Sequence, residues 1–176
     1  MGAVQQEPGR LRRRLAVMRH AKAEGYEKAD HERELAPRGR VDAEATGQWL
    51  AELGLVPDAA LVSAATRSRQ TWQGVAGAAR WTVDAEHSEA LYVAGPESAL
   101  DLIRETPDDV TILVVVGHNP TMAYVAQLLD DGEGELTGEM ALGFPTSTVA
   151  VFEFEGDWAE LPEAGCRLVG FSVPRG

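Results

Sequence analysis

The chain has 176 residues, 44% of them apolar and 25% charged, which suits one globular domain and excludes a fibrous or disordered chain. A net charge of -12 repels a nucleic-acid backbone, so no nucleic-acid partner is expected. The longest apolar run, Ile112 to Val116, is far short of the roughly 20 residues of a membrane helix, and the one cysteine, Cys166, has no partner for a disulfide within the chain. A cytoplasmic protein with no membrane partner is the expectation, its oligomeric state open.

Residues 1–13 read as a floppy basic tail, since Arg10, Arg12 and Arg13 are followed by no apolar stretch long enough for a secretory leader. A single domain is expected over 14–176. Without residues 1–14 the body carries twelve basic against twenty-seven acidic residues, or -15. Any anionic ligand therefore needs a local cationic pocket.

Leu15–Met18 is a short apolar run that suits a strand buried on both faces. Val41, Ala45, Trp49, Leu50 and Leu53 mark a helix, and Ala60–Val62 a second strand. Trp72, Val75, Ala76 and Ala79 recur at helical spacing, and Ala99, Leu102 and Ile103 mark a shorter helix. Val110–Val116 predicts a third buried strand, and Met122, Val125, Ala126 and Leu129 the helix after it. The acidic stretch "DDGEGELTGE" fails the calcium-loop spacing and reads as an exposed loop. Thr146–Phe154 and Cys166–Val173 follow without a helix between them, as an antiparallel pair. The expected fold is α/β: a three-layer α/β/α sandwich with a mostly parallel sheet of about six strands and a late antiparallel hairpin. The connections are brief, which leaves no material for a large lid.

Ligands of such sheets bind outside the carboxyl ends of the parallel strands. Three of those ends carry unusual residues. The first gives Arg19 and His20 in "LAVMRHAKAE". The second, "LVSAATRSRQT", runs through Ser63 into a helix whose first turn holds Arg67, with Arg69 on its outer side. The third, "VVVGHNPTM", places His118 between strand and helix, with Asn119 as N-cap and Pro120 at the first helical position. Two arginines, two histidines and two helix N-termini then face one volume, an arrangement suited to a doubly charged oxyanion.

These segments together resemble the histidine phosphatase superfamily, and within it the compact SixA-type phosphohistidine phosphatases. "MRHAKAE" resembles the family's Arg-His-Gly motif, "RELAPRGRVDAEATGQWL" its Leu-x-x-Arg-Gly helix start and "SAATRSRQT" its second-arginine motif. "SEALY" resembles its acid-bearing segment and "VVVGHNPT" its second-histidine motif. The match runs from about Leu15 to Val173. It departs at Ala21, where much of the superfamily has glycine; a methyl group there is expected to narrow the approach to the phosphate.

A neutral imidazole is nucleophilic near pH 7. His20 or His118 could serve by spacing alone, and the resemblance favours His20, forming a covalent phosphohistidine that water cleaves. The ring nitrogen not used in attack should donate to a backbone carbonyl. Arg19 and Arg67 would fork onto phosphate oxygens and His118 would donate to a third, with no metal and no cofactor required. Glu89 matches the family's acid position, with His87 a weaker candidate. Ser63 and Asn119 contact the phosphate or brace the pocket, and His31 in "EKADHERE" reads as solvated. There is no P-loop, no Gly-x-Ser-x-Gly elbow and no His-Glu-x-x-His. The resemblance implies a metal-independent phosphatase acting on a phosphohistidine protein. A small-molecule phosphomonoesterase of the same chemistry and a phosphate-binding module without turnover are the alternatives. A mutase, which would need a more enclosed site, fits less well.

Overall fold

The computed structural model describes residues 10–176. Among these, six strands form one sheet: β1 (Arg12–Arg19), β2 (Ala59–Ser63), β3 (Ala85–Ser88), β4 (Ile112–Gly117), β5 (Val149–Glu155) and β6 (Arg167–Ser172). Their order is β3-β2-β4-β1-β5-β6. The first four run parallel, and β5 and β6 are antiparallel to their neighbours. The α/β sandwich and late hairpin expected from the sequence are both present.

Alternation within the central strands builds two cores. Leu15, Val17, Leu113 and Val115 face one side; Ala16, Met18, Val114 and Val116 face the other. Helices α1 (Pro37–Glu52) and α2 (Thr66–Ala79) cover the second side. The first side is covered by α3 (Glu89–Val93), α4 (Pro96–Arg104), α5 (Thr121–Leu129) and α6 (Thr137–Ala141). Strands buried on both faces carry continuous apolar runs, which is why β1 and β4 were legible.

Several expectations change. The basic tail was placed through residue 13, yet β1 opens at Arg12, and Arg13 is 98% buried. Its guanidinium donates to the carbonyls of Gly156 (2.7 Å), Asp108 (3.1 Å) and Val110, beside the Trp158 ring. An arginine read as solvated is thus a pin between chain segments. Residues 1–9 of the expected tail lie outside the described residues, and Arg10 and Leu11 precede the strand. β4 starts at Ile112 rather than Val110, because the Asp58 carboxylate accepts from the amides of Thr111 and Ile112 (both 2.9 Å). The acidic loop at 130–139 closes into α6 from Thr137 onward. Helix α1 forms where expected and its buried face is shifted: Leu50 is buried and Ala45 and Trp49 half-buried as expected, but Val41 and Leu53 are exposed, and Gly39, Asp42, Ala43, Thr46 and Gly47 are buried. Finally, the β1–α1 connection is not brief. Residues 20–36 make an excursion closed by Ala23 pairing with Leu35, with a 3-10 turn at Asp30–Glu32 on top.

Candidate active site

At the C-terminal end of β1 the chain turns out of the sheet, and two neighbours pin its backbone. The His20 amide donates to Gly117 of β4 (2.9 Å), and the His20 carbonyl accepts from the Ser147 amide (3.1 Å). Ser147 holds φ at 65°, a left-handed conformation that a serine adopts only when its surroundings impose it. Ala21 is fully buried and donates its amide to Thr71 Oγ1 (3.0 Å). Its methyl therefore sits against the packed body.

The imidazole of His20 is 92% buried. Its Nδ1 lies 2.7 Å from the Ala21 carbonyl. A carbonyl only accepts, so Nδ1 carries the proton and Nε2 keeps its lone pair. Arg67 Nε donates to that Nε2 at 3.3 Å. Burial pulls the His20 pKa down to about 3, helped by the charges of His118, Arg67 and Arg19 and opposed by the Ala21 hydrogen bond. The ring is neutral at pH 7, with its unprotonated nitrogen accepting from a guanidinium.

Arg67 stands in the first turn of α2, buried, one residue inside the helix start. Arg69, two positions on, is exposed as expected. His118 follows β4, its ring centroid 5.2 Å from that of His20. Its Nδ1 accepts from Arg67 Nη2 (3.2 Å), and its Nε2 meets Ser63 Oγ (2.6 Å). Nε2–H donates to the serine, whose oxygen also accepts from the Ala65 amide (3.3 Å). Burial and the Arg67 charge hold His118 at about 4, against a smaller upward pull from Asp30.

Arg19 completes the group. Its Nη1 donates to the Phe144 carbonyl (3.2 Å), while its Nε is buried with no partner among the described residues, a donor that an oxyanion could satisfy. Desolvation lowers its pKa. Asn119 shares that carbonyl through Nδ2 (2.7 Å) and accepts from the Ala123 amide through Oδ1 (3.2 Å). Helix α5 begins at Thr121, one residue later than expected, with Pro120 at the N-cap. Asn119 still serves the helix end, by its side chain, and its amide braces Phe144.

The structure thus gathers His20, Arg67, His118 and Ser63 by direct contact, with Arg19 next to His20 and Asn119 tied to it through Phe144. Glu89 stands apart. It opens α3 as an exposed side chain with no side-chain hydrogen bond among the described residues, directly after Ser88, which pairs with Ser63 at the same sheet end. His87 is exposed on β3, and His31 is exposed on the 3-10 turn.

Two site residues escaped the sequence reading, Asp30 and Tyr92. Asp30 receives Arg67 through its carbonyl and its carboxylate, and Tyr92 OH donates to the same carboxylate (2.6 Å). The Tyr92 ring meets His118 edge-on at 5.5 Å. The Tyr92 hydrogen bond, with Arg33 and Arg67, pushes the Asp30 pKa well below the carboxylate range, and Tyr92 is raised in turn. Asp30 was hidden in a run of charges that read as solvated. Tyr92 was visible only as the last letter of "SEALY".

The family model "Histidine phosphatase superfamily (branch 1)" matches residues 15–92. An uncharacterized protein of Mycobacterium tuberculosis is 41% identical over 167 residues, spanning 90% of this chain and 100% of its own length. A Mycobacterium leprae relative is 36% identical over 168 residues, spanning 90% and 100%. Among solved structures, a Nakamurella multipartitia protein that carries the name SixA superposes with a TM-score of 0.83 at 30% identity, covering 94% of this chain and 98% of that one. An Agrobacterium tumefaciens SixA gives 0.77 at 32%, covering 92% and 98%. The protein histidine phosphatase SixA complexed with tungstate shares the fold, at 0.71 and 22%, covering 92% and 97%. Membership of this group supports phosphatase activity. The chain belongs to the histidine phosphatase superfamily, among its SixA-type members.

Proposed function

We propose that this chain hydrolyses a phosphoryl group by way of a covalent phosphohistidine on His20, and that its substrate is a phosphohistidine side chain on a protein. The observation that carries the reading is the His20 tautomer: Nδ1–H is spent on the Ala21 carbonyl, and the Nε2 lone pair faces Arg67. In the first step Nε2 attacks phosphorus and the bond to the leaving group breaks. Water then attacks the phosphohistidine, and inorganic phosphate leaves. Arg67 and Arg19 hold the equatorial oxygens while charge spreads over them, and such a donor is worth about 10²–10³ in rate. His118 sits where a proton on Nδ1 would be drawn toward a bound dianion. These groups supply the positive charge without a metal ion, so EDTA should leave turnover unchanged.

The nature of the SixA relatives supports the phosphohistidine substrate. So does the leaving group: an imidazole departs without a strong acid, and the nearest carboxylate contacting the cationic cluster, Asp30, is locked ionised. No helix among the described residues is long and apolar enough to cross a membrane, and a cytoplasmic phosphoprotein partner fits that.

The test is labelling with a radioactive phosphodonor. The natural protein should trap acid-labile, alkali-stable label, and His20→Ala should trap none. Equal labelling of both would remove His20 from its role. Release of phosphate from a phosphohistidine protein should exceed release from sugar phosphates, and the opposite ranking would favour a small-molecule phosphomonoesterase.

A further inference from the structure

Asp30 sits on the 20–36 excursion, against Arg67, and no step of the reaction above uses it. Its contacts divide the Arg67 guanidinium into two working edges. The end-on edge faces the 3-10 turn: Nη1 donates to the Asp30 carbonyl (2.7 Å) and Nη2 to Asp30 Oδ2 (3.1 Å). The side edge faces the imidazoles: Nε donates to His20 Nε2 (3.3 Å) and Nη2 to His118 Nδ1 (3.2 Å). A planar fork held at its end can present its side in one orientation only.

The holder is itself held. Tyr92 OH donates to Asp30 Oδ2 (2.6 Å), and Arg33 Nη1 donates to Oδ1 (3.1 Å). The excursion that carries Asp30 is tied to α2 through the Leu35 amide on Gln70 Oε1 (2.7 Å). The same helix bears Arg67. Turn and guanidinium are thus mounted on one rigid base.

An ion pair with one partner 46% exposed contributes little to stability. Orientation is a different matter. Arg67 is a long side chain with four rotatable bonds, and without an end-on partner its fork can swing away from the reacting phosphoryl group. Misplacement of about 1 Å can cost about a hundredfold in rate.

We propose that Asp30, fixed by Tyr92, is a positioning residue: it clamps the end-on edge of Arg67 so that the Nε/Nη2 edge is aimed at the phosphoryl group on His20. The proposal rests on the phosphatase reading above. It explains why an acidic residue stands beside a site for a dianion, where simple electrostatics would exclude one. The carboxylate takes the end-on edge of the guanidinium and leaves the Nε/Nη2 edge turned to the imidazoles, where no carboxylate contacts it.

The experiment is a double-mutant cycle on the full chain, with p-nitrophenyl phosphate as substrate and kcat and KM read separately. Asp30→Ala should lower kcat/KM by about 10–100-fold, mainly through kcat. Asp30→Asn, which keeps an oxygen facing Arg67, should recover most of that loss, and Tyr92→Phe should fall between the two. In an Arg67→Lys background, whose ammonium has no end-on edge, Asp30→Ala should cost no more than about twofold. A purely structural role would cost the same factor in both backgrounds. That result, or Asp30→Ala within twofold of the natural protein, overturns the proposal. If the natural protein releases no p-nitrophenol, the phosphatase reading is what fails. The same cycle is then read in tungstate affinity by calorimetry: a loss of tenfold or more that disappears in the Arg67→Lys background supports the clamp, and equal losses overturn it.

Discussion

Ser63 is a small residue with a large share in the site. Its hydroxyl oxygen accepts from His118 Nε2 (2.6 Å), and that single contact decides which nitrogen of His118 faces Arg67. Ser63→Ala leaves Nε2–H without its acceptor and frees the ring to flip or change tautomer. A loss of about 10–100-fold in kcat/KM is expected, comparable to removing a group that orients another ligand, with KM changing less than kcat. An equal loss in both parameters would argue that Ser63 binds substrate directly. Glu89 gives a different test. It is exposed at the start of α3, which suits a proton donor needed only by demanding leaving groups. Glu89→Gln should therefore lower hydrolysis of an alkyl phosphate by at least tenfold more than hydrolysis of a phosphohistidine peptide, measured side by side as released phosphate. Equal losses on the two substrates would remove Glu89 from leaving-group protonation.

Helices α1 and α2 cross at short range because glycines line the contact. A methyl group on Gly47 would come within 2.2 Å of the Val75 carbonyl, and one on Gly74 within 3.0 Å of the Ala43 methyl. Gly47→Ala removes a helix-weakening glycine, worth about 1 kcal/mol in its favour. The clash is with backbone, however, which cannot rotate away, and overpacking of this kind costs about 1–3 kcal/mol. The net effect should be a lowered melting temperature, checked by thermal denaturation; a rise would mean that the helices separate without cost. This crossing also shows what the sequence withheld. Hydrophobic periodicity finds large apolar residues, so it picked Leu50 but also the exposed Val41 and Leu53, whereas the rest of the buried face is made of Gly39, Asp42, Ala43, Thr46 and Gly47. Edge strand β3, "AEHS", exposes Glu86 and His87 and so has no apolar run to announce it. The same limit hid Asp30, since a solvated charge and a charge holding an arginine look alike in a string of letters. What was legible were the strands buried on both faces and the residues at their ends. There the cationic and imidazole side chains interrupt an apolar pattern and stand out.

The molecule as a whole carries -12, yet it concentrates two arginines and two neutral histidines at one end of its sheet. That concentration has a cost that depends on pH. His20 and His118 sit at about 3 and about 4, both below the ordinary value of about 6.5 for an imidazole. Between pH 6.5 and 4 the unfolded chain therefore binds protons that the folded chain refuses. The unfolding free energy falls as pH drops through that window, by at most about 1.4 kcal/mol per imidazole per pH unit. Asp30 acts in a lower window. Its depressed carboxyl adds stability above the ordinary carboxylate range, lost only as the pH falls below about 3.9. The two contributions are thus separable. The urea midpoint of the natural protein should fall steadily from pH 7 to pH 4.5. In a His20→Gln, His118→Gln double variant, which has nothing to protonate at either position, the slope over the same range should be visibly shallower, whatever its starting stability. Matching slopes in the two proteins would mean that the imidazoles take up protons in the folded state as freely as in water, and the neutral, lone-paired His20 that the proposed attack needs would lose its physical basis.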